Sequence, residues 1–344
     1  MLVEEIGNSI MEDLHKRTVV VVTGAGAGVG RAAAREFASK GCDVALLSRD
    51  PERLATAAVE LRGLGVRALA VPTDVADSAA VEAAADRVER ELGPIDIWVN
   101  VAMATVFAPV SKLGAEELRR GTEVTYLGQA YGMMAALKRM RPRNRGTIVN
   151  VGSALVYRSV PLQAVYCGAK AAIRGFTDSL RCELSHDHAN IHITMVQLPA
   201  VNTPQFDWAM NKTGYMARPI APVFDPEVPA KAIVFAAFHQ RREIWVGKPT
   251  VAAILGSYVA PALLDWYLGR TAYRGQTTND PVDPNRPNNL YQPVPGPYGE
   301  RGRFGAEARQ GSVELFSDRH RVTAYALLGV ALVGLHLLAK RLNV

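Results

Sequence analysis

The chain has 344 residues, of which 49% are hydrophobic and 21% charged; this excludes disorder throughout and leaves room for one large α/β domain with an appendage. A net charge of +6, with 7% aromatic residues and no regular interleaving of basic and aromatic positions, argues against a nucleic-acid partner. Cys42, Cys167 and Cys182 are widely spaced and form no C-x-x-C pair, so neither a disulfide framework nor a zinc site is indicated, and a reducing compartment fits.

Residues 1–17 carry acids and lack an apolar core with a cleavage site, so they read as an amphipathic lead-in rather than a secretory signal. Residues 18–248 read as one domain, in which short β-rich apolar runs alternate with alanine-rich helical stretches up to about Val246. Strands are expected at Val19–Thr23, Asp43–Leu47, Arg67–Val71, Ile95–Asn100, Thr147–Val151, Ile191–Gln197 and Glu243–Val246. Helices are expected near Gly30–Ser39, Pro51–Leu64, Ser78–Leu92, Ala115–Arg139, Ala164–Ser185 and Glu227–His239. Continuous apolar strands such as Val19 to Val22 are buried on both faces, which gives the fold class: α/β, a doubly wound parallel sheet of Rossmann type with about seven strands and a C-terminal helical extension. Ligands of such sheets bind at the carboxyl ends of the strands.

The first strand ends in Thr23-Gly24-Ala25-Gly26-Ala27-Gly28-Val29-Gly30, a glycine turn leading into a helix. Glycines there admit close approach of a ligand to the backbone, and the first amides of the helix attract a pyrophosphate. The spacing Gly24-x-x-x-Gly28-x-Gly30 gives G-x-G-x-x-G in no register, and by itself it also describes a tight turn with no ligand. At the end of the second strand, where an acidic residue would bind a ribose 2′-hydroxyl, stand Ser48 and Arg49. A hydroxyl followed by a guanidinium accepts a 2′-phosphate, pointing to NADP(H) over NAD(H); the alternative is that Arg49 is a solvated loop residue. Asp74, with Val75 after it, closes the third strand, where it serves either an adenine edge or a helix cap.

Tyr166 and Lys170 lie four apart in a helical stretch and project from one face, and Ser153 follows the strand that ends at Val151. An ammonium beside a phenol lowers its pKa, so Tyr166 can exchange a proton with a carbonyl or carbinol oxygen that Ser153 steadies. The order of these residues carries the weight, since Tyr-x-x-x-Lys alone is common by chance.

On these motifs residues of about 18 to 248 resemble the short-chain dehydrogenase/reductase superfamily. The resemblance implies a cofactor turn over Thr23–Gly30, adenine contacts at Asp74, catalysis by Ser153, Tyr166 and Lys170, and a nicotinamide flank at Pro199 and Thr203. It also implies that Lys170 holds the nicotinamide ribose, and that Asn100 and Ala102 belong to the cofactor site. The implied reaction is hydride exchange between NADP(H) and a carbonyl or alcohol. Homodimers or homotetramers would form through the helices near Ala115–Arg139 and Ala164–Ser185. Two departures stand out. The family's Asn-Asn-Ala-Gly appears as Asn100-Val101-Ala102-Met103, and the helix Asn that completes a catalytic tetrad falls on Thr125, which has a shorter reach.

After Pro199, a long connection carries Phe206, Trp208, Met210 and Met216, read either as the apolar wall of a pocket for a lipophilic small molecule or as packing of a lid on the core. His186, His188 and His192 lack an acidic cluster, and no metal is expected. Residues 249–278 form an apolar helical extension in which Thr250–Leu268, with aromatic ends, lies at a membrane interface, closes the substrate mouth, or packs inside. Residues 279–321 read as a proline-rich and charged linker. Residues 322–339 carry no formal charge between basic flanks and read as a membrane anchor, or as a helix docked on protein. The combined expectation is a membrane-associated NADP-dependent oxidoreductase with its catalytic domain in the cytoplasm. A low-turnover nucleotide-sensing or scaffold protein on the same fold is the alternative, motivated by Val101, Met103 and Thr125.

Overall fold

The computed structural model describes residues 17–315, and within it the apolar runs become β1 (Val19–Thr23), β2 (Asp43–Ser48), β3 (Ala68–Pro72), β4 (Ile97–Asn100), β5 (Gly146–Val151), β6 (Ile191–Gln197) and β7 (Glu243–Trp245). All pair in parallel, in the order β7-β6-β5-β4-β1-β2-β3. The chain order reverses between β1 and β4, which opens a crevice at their carboxyl ends.

The crossovers are α1 (Gly28–Ser39), α2 (Pro51–Arg62), α3 (Ser78–Glu91), α4 (Ala115–Thr122), α5 (Gly128–Met140), α6 (Ala164–His186) and α7 (Glu227–Phe238). Local chemistry sets several of their ends. Asp50 caps α2 by accepting from the Arg53 amide with Pro51 in the first turn, and Asp77 caps α3 by accepting from the Ala79 and Ala80 amides. The single helix expected over 115–139 is interrupted: a π-helical turn, Glu123–Leu127, separates α4 from α5. There the Thr125 hydroxyl bonds both the amide and the carbonyl of Ala104, so a side chain from the helix secures the loop after β4.

Two apolar layers sandwich the sheet, and the strands alternate between them. Val20 and Val22 of β1 join α1, α2 and α7 through Phe37, Leu54 and Ile233, whereas Val19 and Val21 join α3, α5 and α6 through Val88, Met133 and Leu180. One buried polar ladder crosses the second layer. The Trp98 indole donates to Asn100 Oδ1 (2.8 Å), Asn100 Nδ2 to Asn150 Oδ1 (2.9 Å), and Asn150 Nδ2 to Thr177 Oγ1 (2.9 Å), tying β4 to β5 and β5 to α6. Gly132 on α5 lies against this ladder, where a Cβ would collide with Asn100 Oδ1 and come within 2.6 Å of Trp98 Nε1.

Beyond β7 the apolar stretch is broken at Ala260-Pro261 into α8 (Lys248–Val259) and α9 (Pro261–Gly275). Tyr258, Val259, Leu263 and Trp266 are exposed, whereas Ala253 and Leu268 face the central cleft. Residues 279–304, part of the stretch expected to be a linker, lie along the domain. Thr277–Pro281 pairs with Tyr215–Ala217, and Leu290 is fully buried in the second apolar layer. The prolines explain the lack of regular secondary structure, and long-range packing supplies the order that local pattern does not show. Among the described residues no helix is long and apolar enough to cross a membrane. The expected lead-in over 1–16 and the expected anchor over 322–339 lie outside the described residues.

Thr177→Val keeps shape but takes away the oxygen partner of the Asn150 amide, leaving it only the weak acceptor Met133 Sδ, so urea unfolding is expected to show a loss of about 1–3 kcal/mol; an unchanged midpoint would show the ladder to be dispensable.

Candidate active site

The crevice at the strand ends holds a cavity of about 440 Å³ running from the glycine turn to α8 and α9. Gly24 (φ 70°) and Gly28 (φ 57°) adopt backbone conformations that favour glycine. Contact is tight as well: a Cβ on Gly24 would lie 2.9 Å from Ala102 Cα, and one on Gly30 would run into the Gly24 carbonyl. Gly24, Gly26, Gly28, Val29 and Gly30 all line the cavity. Thr23 does not. Its hydroxyl sits behind the wall and accepts from the amides of Val101 (3.0 Å) and Ala102 (3.1 Å), fixing the β4 loop against the turn.

At the end of β2, Ser48 and Arg49 line the cavity, as expected, but in different electrostatic states. Ser48 Oγ is buried without a hydrogen-bond partner. The Arg49 guanidinium donates to the carbonyls of Asn289 (2.5 Å), Leu290 (3.3 Å) and Tyr291 (2.8 Å), and burial lowers its pKa. Arg53, which sequence reasoning missed, supplies a second orphan. One of its terminal nitrogens pairs with Asp50 at 2.7 Å while the other, Nη1, is buried and unpartnered. Its guanidinium lies 4.9 Å from the Trp208 ring centroid. The signal in the sequence was position alone, one helical turn after Arg49. Gly26 lies beside these groups, and a Cβ there would come within 2.7 Å of Ser48 Oγ. A glycine turn packed beside two buried donors that have no partner fits an anionic substituent on a ribose.

Asp74 and Val75 line the same end. Asp74 accepts from the Ala76 amide and pairs with Arg120 of α4, and the cap of α3 falls to Asp77 instead.

The catalytic candidates meet at the other end. Ser153, Tyr166 and Lys170 all line the cavity. Ser153 is positioned by its amide, which donates to Gln197 Oε1 (2.7 Å), and its hydroxyl accepts from the Leu155 amide (3.1 Å). Lys170 is 1% exposed, donates to the Val151 carbonyl at 2.5 Å, and holds its Nζ 5.6 Å from the Tyr166 ring centroid. Burial drives the Lys170 pKa down to about 7 and the Tyr166 pKa up, with a hydrogen bond from Ser153 pulling Tyr166 back the other way. Burial thus favours the neutral phenol. Pro199 and Thr203 complete the wall between the two ends.

Besides Thr23, two expected site residues stand elsewhere. Asn100 is fully buried in the polar ladder, and Thr125 is fully buried with its hydroxyl spent on Ala104, so neither lines the cavity. The Thr125 hydroxyl, expected to act in catalysis, bonds the Ala104 amide and carbonyl instead of reaching the cavity. Ala102 and Met103 do line the cavity. Of the four apolar residues expected on the lid, Phe206 and Trp208 face the cavity, whereas Met210 and Met216 are committed to short strands beside Val106–Phe107 and Thr277–Pro281.

Comparison with known proteins agrees with this geometry. The short chain dehydrogenase family matches residues 18–212. An uncharacterized oxidoreductase of Bacillus subtilis (strain 168), YxnA, is 31% identical over 280 residues, 80% of this chain and 78% of the relative. The 2,3-dihydro-2,3-dihydroxybenzoate dehydrogenase of the same organism is 35% identical over 192 residues, 56% of this chain and 72% of its own length. Among solved structures, an actinorhodin polyketide ketoreductase with NADPH aligns with a TM-score of 0.53 at 32% identity, covering 55% of this chain and 72% of that one. An alcohol dehydrogenase from the archaeon Thermococcus sibiricus, complexed with 5-hydroxy-NADP, shares the fold with a TM-score of 0.58 at 24% identity over 67% of this chain and 96% of its own. With the family match spanning more than half of the sequence and the glycine turn, Ser153, Tyr166 and Lys170 gathered at one sheet edge, the chain belongs to the short chain dehydrogenase family of oxidoreductases.

Proposed function

We propose that the protein is an NADP(H)-dependent oxidoreductase that interconverts a carbonyl and an alcohol on a lipophilic small molecule, with Tyr166 as general acid and base. The observation that carries the reading is one continuous cavity with the glycine turn at one end and Tyr166 beside Ser153 and Lys170 at the other. The nicotinamide cofactor, when bound, supplies or accepts the hydride. The protein's own groups handle the oxygen. In reduction the Tyr166 hydroxyl donates its proton to the carbonyl oxygen while Ser153 orients that oxygen; in oxidation the phenolate takes the proton back. Lys170, anchored on Val151, places a cation near the phenol and lowers the cost of the phenolate whenever its amine is protonated.

The preference for NADP(H) rests on the unpaired Ser48 Oγ and Arg53 Nη1, and a relative of 32% identity was solved with NADPH. The lipophilic substrate class rests on Phe107, Leu155, Phe206, Ile220 and Leu268, which line the cavity near the catalytic residues or at its mouth.

Tyr166→Phe removes the proton donor and is expected to cut reduction of lipophilic ketones by about a hundredfold or more while NADPH still binds; turnover that survives would overturn the assignment. Arg53→Ala removes one charge-assisted donor of about 1.5–3 kcal/mol, so titration should show NADPH binding weakened about ten- to a hundredfold and NADH binding unaffected. Equal losses for both nucleotides would place Arg53 away from the 2′-phosphate.

A further inference from the structure

Residues 286–304 cross the cofactor end of the cavity from one wall to the other. On the near side Arg286 donates to the carbonyls of Asp207 and Ala209, and the Asn289 amide to the Trp208 carbonyl at 2.9 Å. Arg49, at the end of β2, grips three successive carbonyls at 289–291, and Arg120 donates to the Leu290 carbonyl at 3.2 Å. Asn289 and Pro293 then line the cavity itself. Further on, the Tyr298 ring lies 4.7 Å from the Trp208 ring centroid, with the Arg53 guanidinium 5.7 Å from Tyr298. The Gly299 carbonyl accepts from the Gly28 amide at 3.0 Å, directly on the first turn of α1. On the far side Glu300 pairs with Arg35 of α1 at 2.7 Å and Arg301 with the buried Asp225 at 2.7 Å; the Phe304 amide donates to Asn202 Oδ1 at 2.9 Å.

We propose that this segment is a strap that closes over the adenosine end of the bound dinucleotide, with Arg49 as its latch rather than as the ligand of the 2′-phosphate, so that the nucleotide enters and leaves only when the strap lifts. The proposal rests on the cofactor reading above. Two features support it beyond the contacts themselves. Arg49 spends its donors on carbonyls, which are neutral partners and indifferent to a 2′-phosphate, whereas Ser48 and Arg53, which line the same cavity, each carry a buried donor without a partner. The strap is fastened at both ends and includes residues that line the cavity, so it is a wall of the site. Elements that close over a bound ligand govern its release more than its chemistry.

The discriminating experiment is stopped-flow release of NADPH and of NADH from the full chain, chased with excess oxidised nucleotide, for wild type, Arg49→Ala and Glu300→Gln. Glu300→Gln loosens the far anchor without touching the cavity, and it stands in if Arg49→Ala fails to fold. Release of both nucleotides should accelerate by similar factors, about tenfold for Arg49→Ala and less for Glu300→Gln. Loss confined to NADPH in Arg49→Ala would make Arg49 a phosphate ligand and overturn the latch; unchanged release of both nucleotides in the folded variants would overturn the strap. A wild type that binds neither nucleotide would instead overturn the cofactor reading on which the proposal stands.

Discussion

The turn after β1 has no room for a side chain at Gly24, Gly26 or Gly30, and the functional architecture follows from that. Its glycines press against the loop after β4 and against one another, with Thr23 stitching the two loops together from behind. Such contact is possible only where Cβ atoms are missing, and it sets the start of α1 at the crevice where strand order reverses, with the Gly28 amide donating to the Gly299 carbonyl. The strap over 286–304, the unpaired donors at Ser48 and Arg53, and the catalytic group at Ser153 are all arranged about this fixed edge.

Polarity inside the site is handled in two ways. Where the sheet must be rigid, polar groups are satisfied by one another: the Trp98, Asn100, Asn150 and Thr177 ladder holds β4, β5 and α6 in register below the catalytic residues. Along the cavity, by contrast, Ser48 and Arg53 carry buried donors without a partner, and burial pushes the Tyr166 pKa up and the Lys170 pKa down to about 7. A group already stripped of water interacts more strongly with an arriving partner than an exposed one would.

The sheet was legible because its signal is local: seven apolar runs were placed within a residue or two of their ends, and both layers follow from strict alternation along β1. The glycines and Ser153 were legible at strand ends, and Tyr166 and Lys170 by their four-residue spacing on one face of the helix that follows. What escaped was non-local. Arg53 has the same local look as any helix arginine, and only burial against Trp208 and Tyr298 gives it meaning. The strap reads as a linker because prolines erase periodicity, while its hydrogen bonds join residues far apart in the chain, 240–242 positions between Arg49 and 289–291. Thr125 kept the position of a relay residue, but a π turn and the Ala104 backbone claim its hydroxyl.

The central claim is that hydride passes directly between the bound nicotinamide and a carbonyl carbon held beside Tyr166. It is tested most directly with NADPH deuterated at the nicotinamide C4 positions, the full-length protein and a panel of lipophilic ketones, with the products read by mass spectrometry. The account predicts deuterium on the carbinol carbon of at least one product alcohol. Nucleotide binding without label in any product would contradict it and leave the fold serving as a nucleotide-binding scaffold.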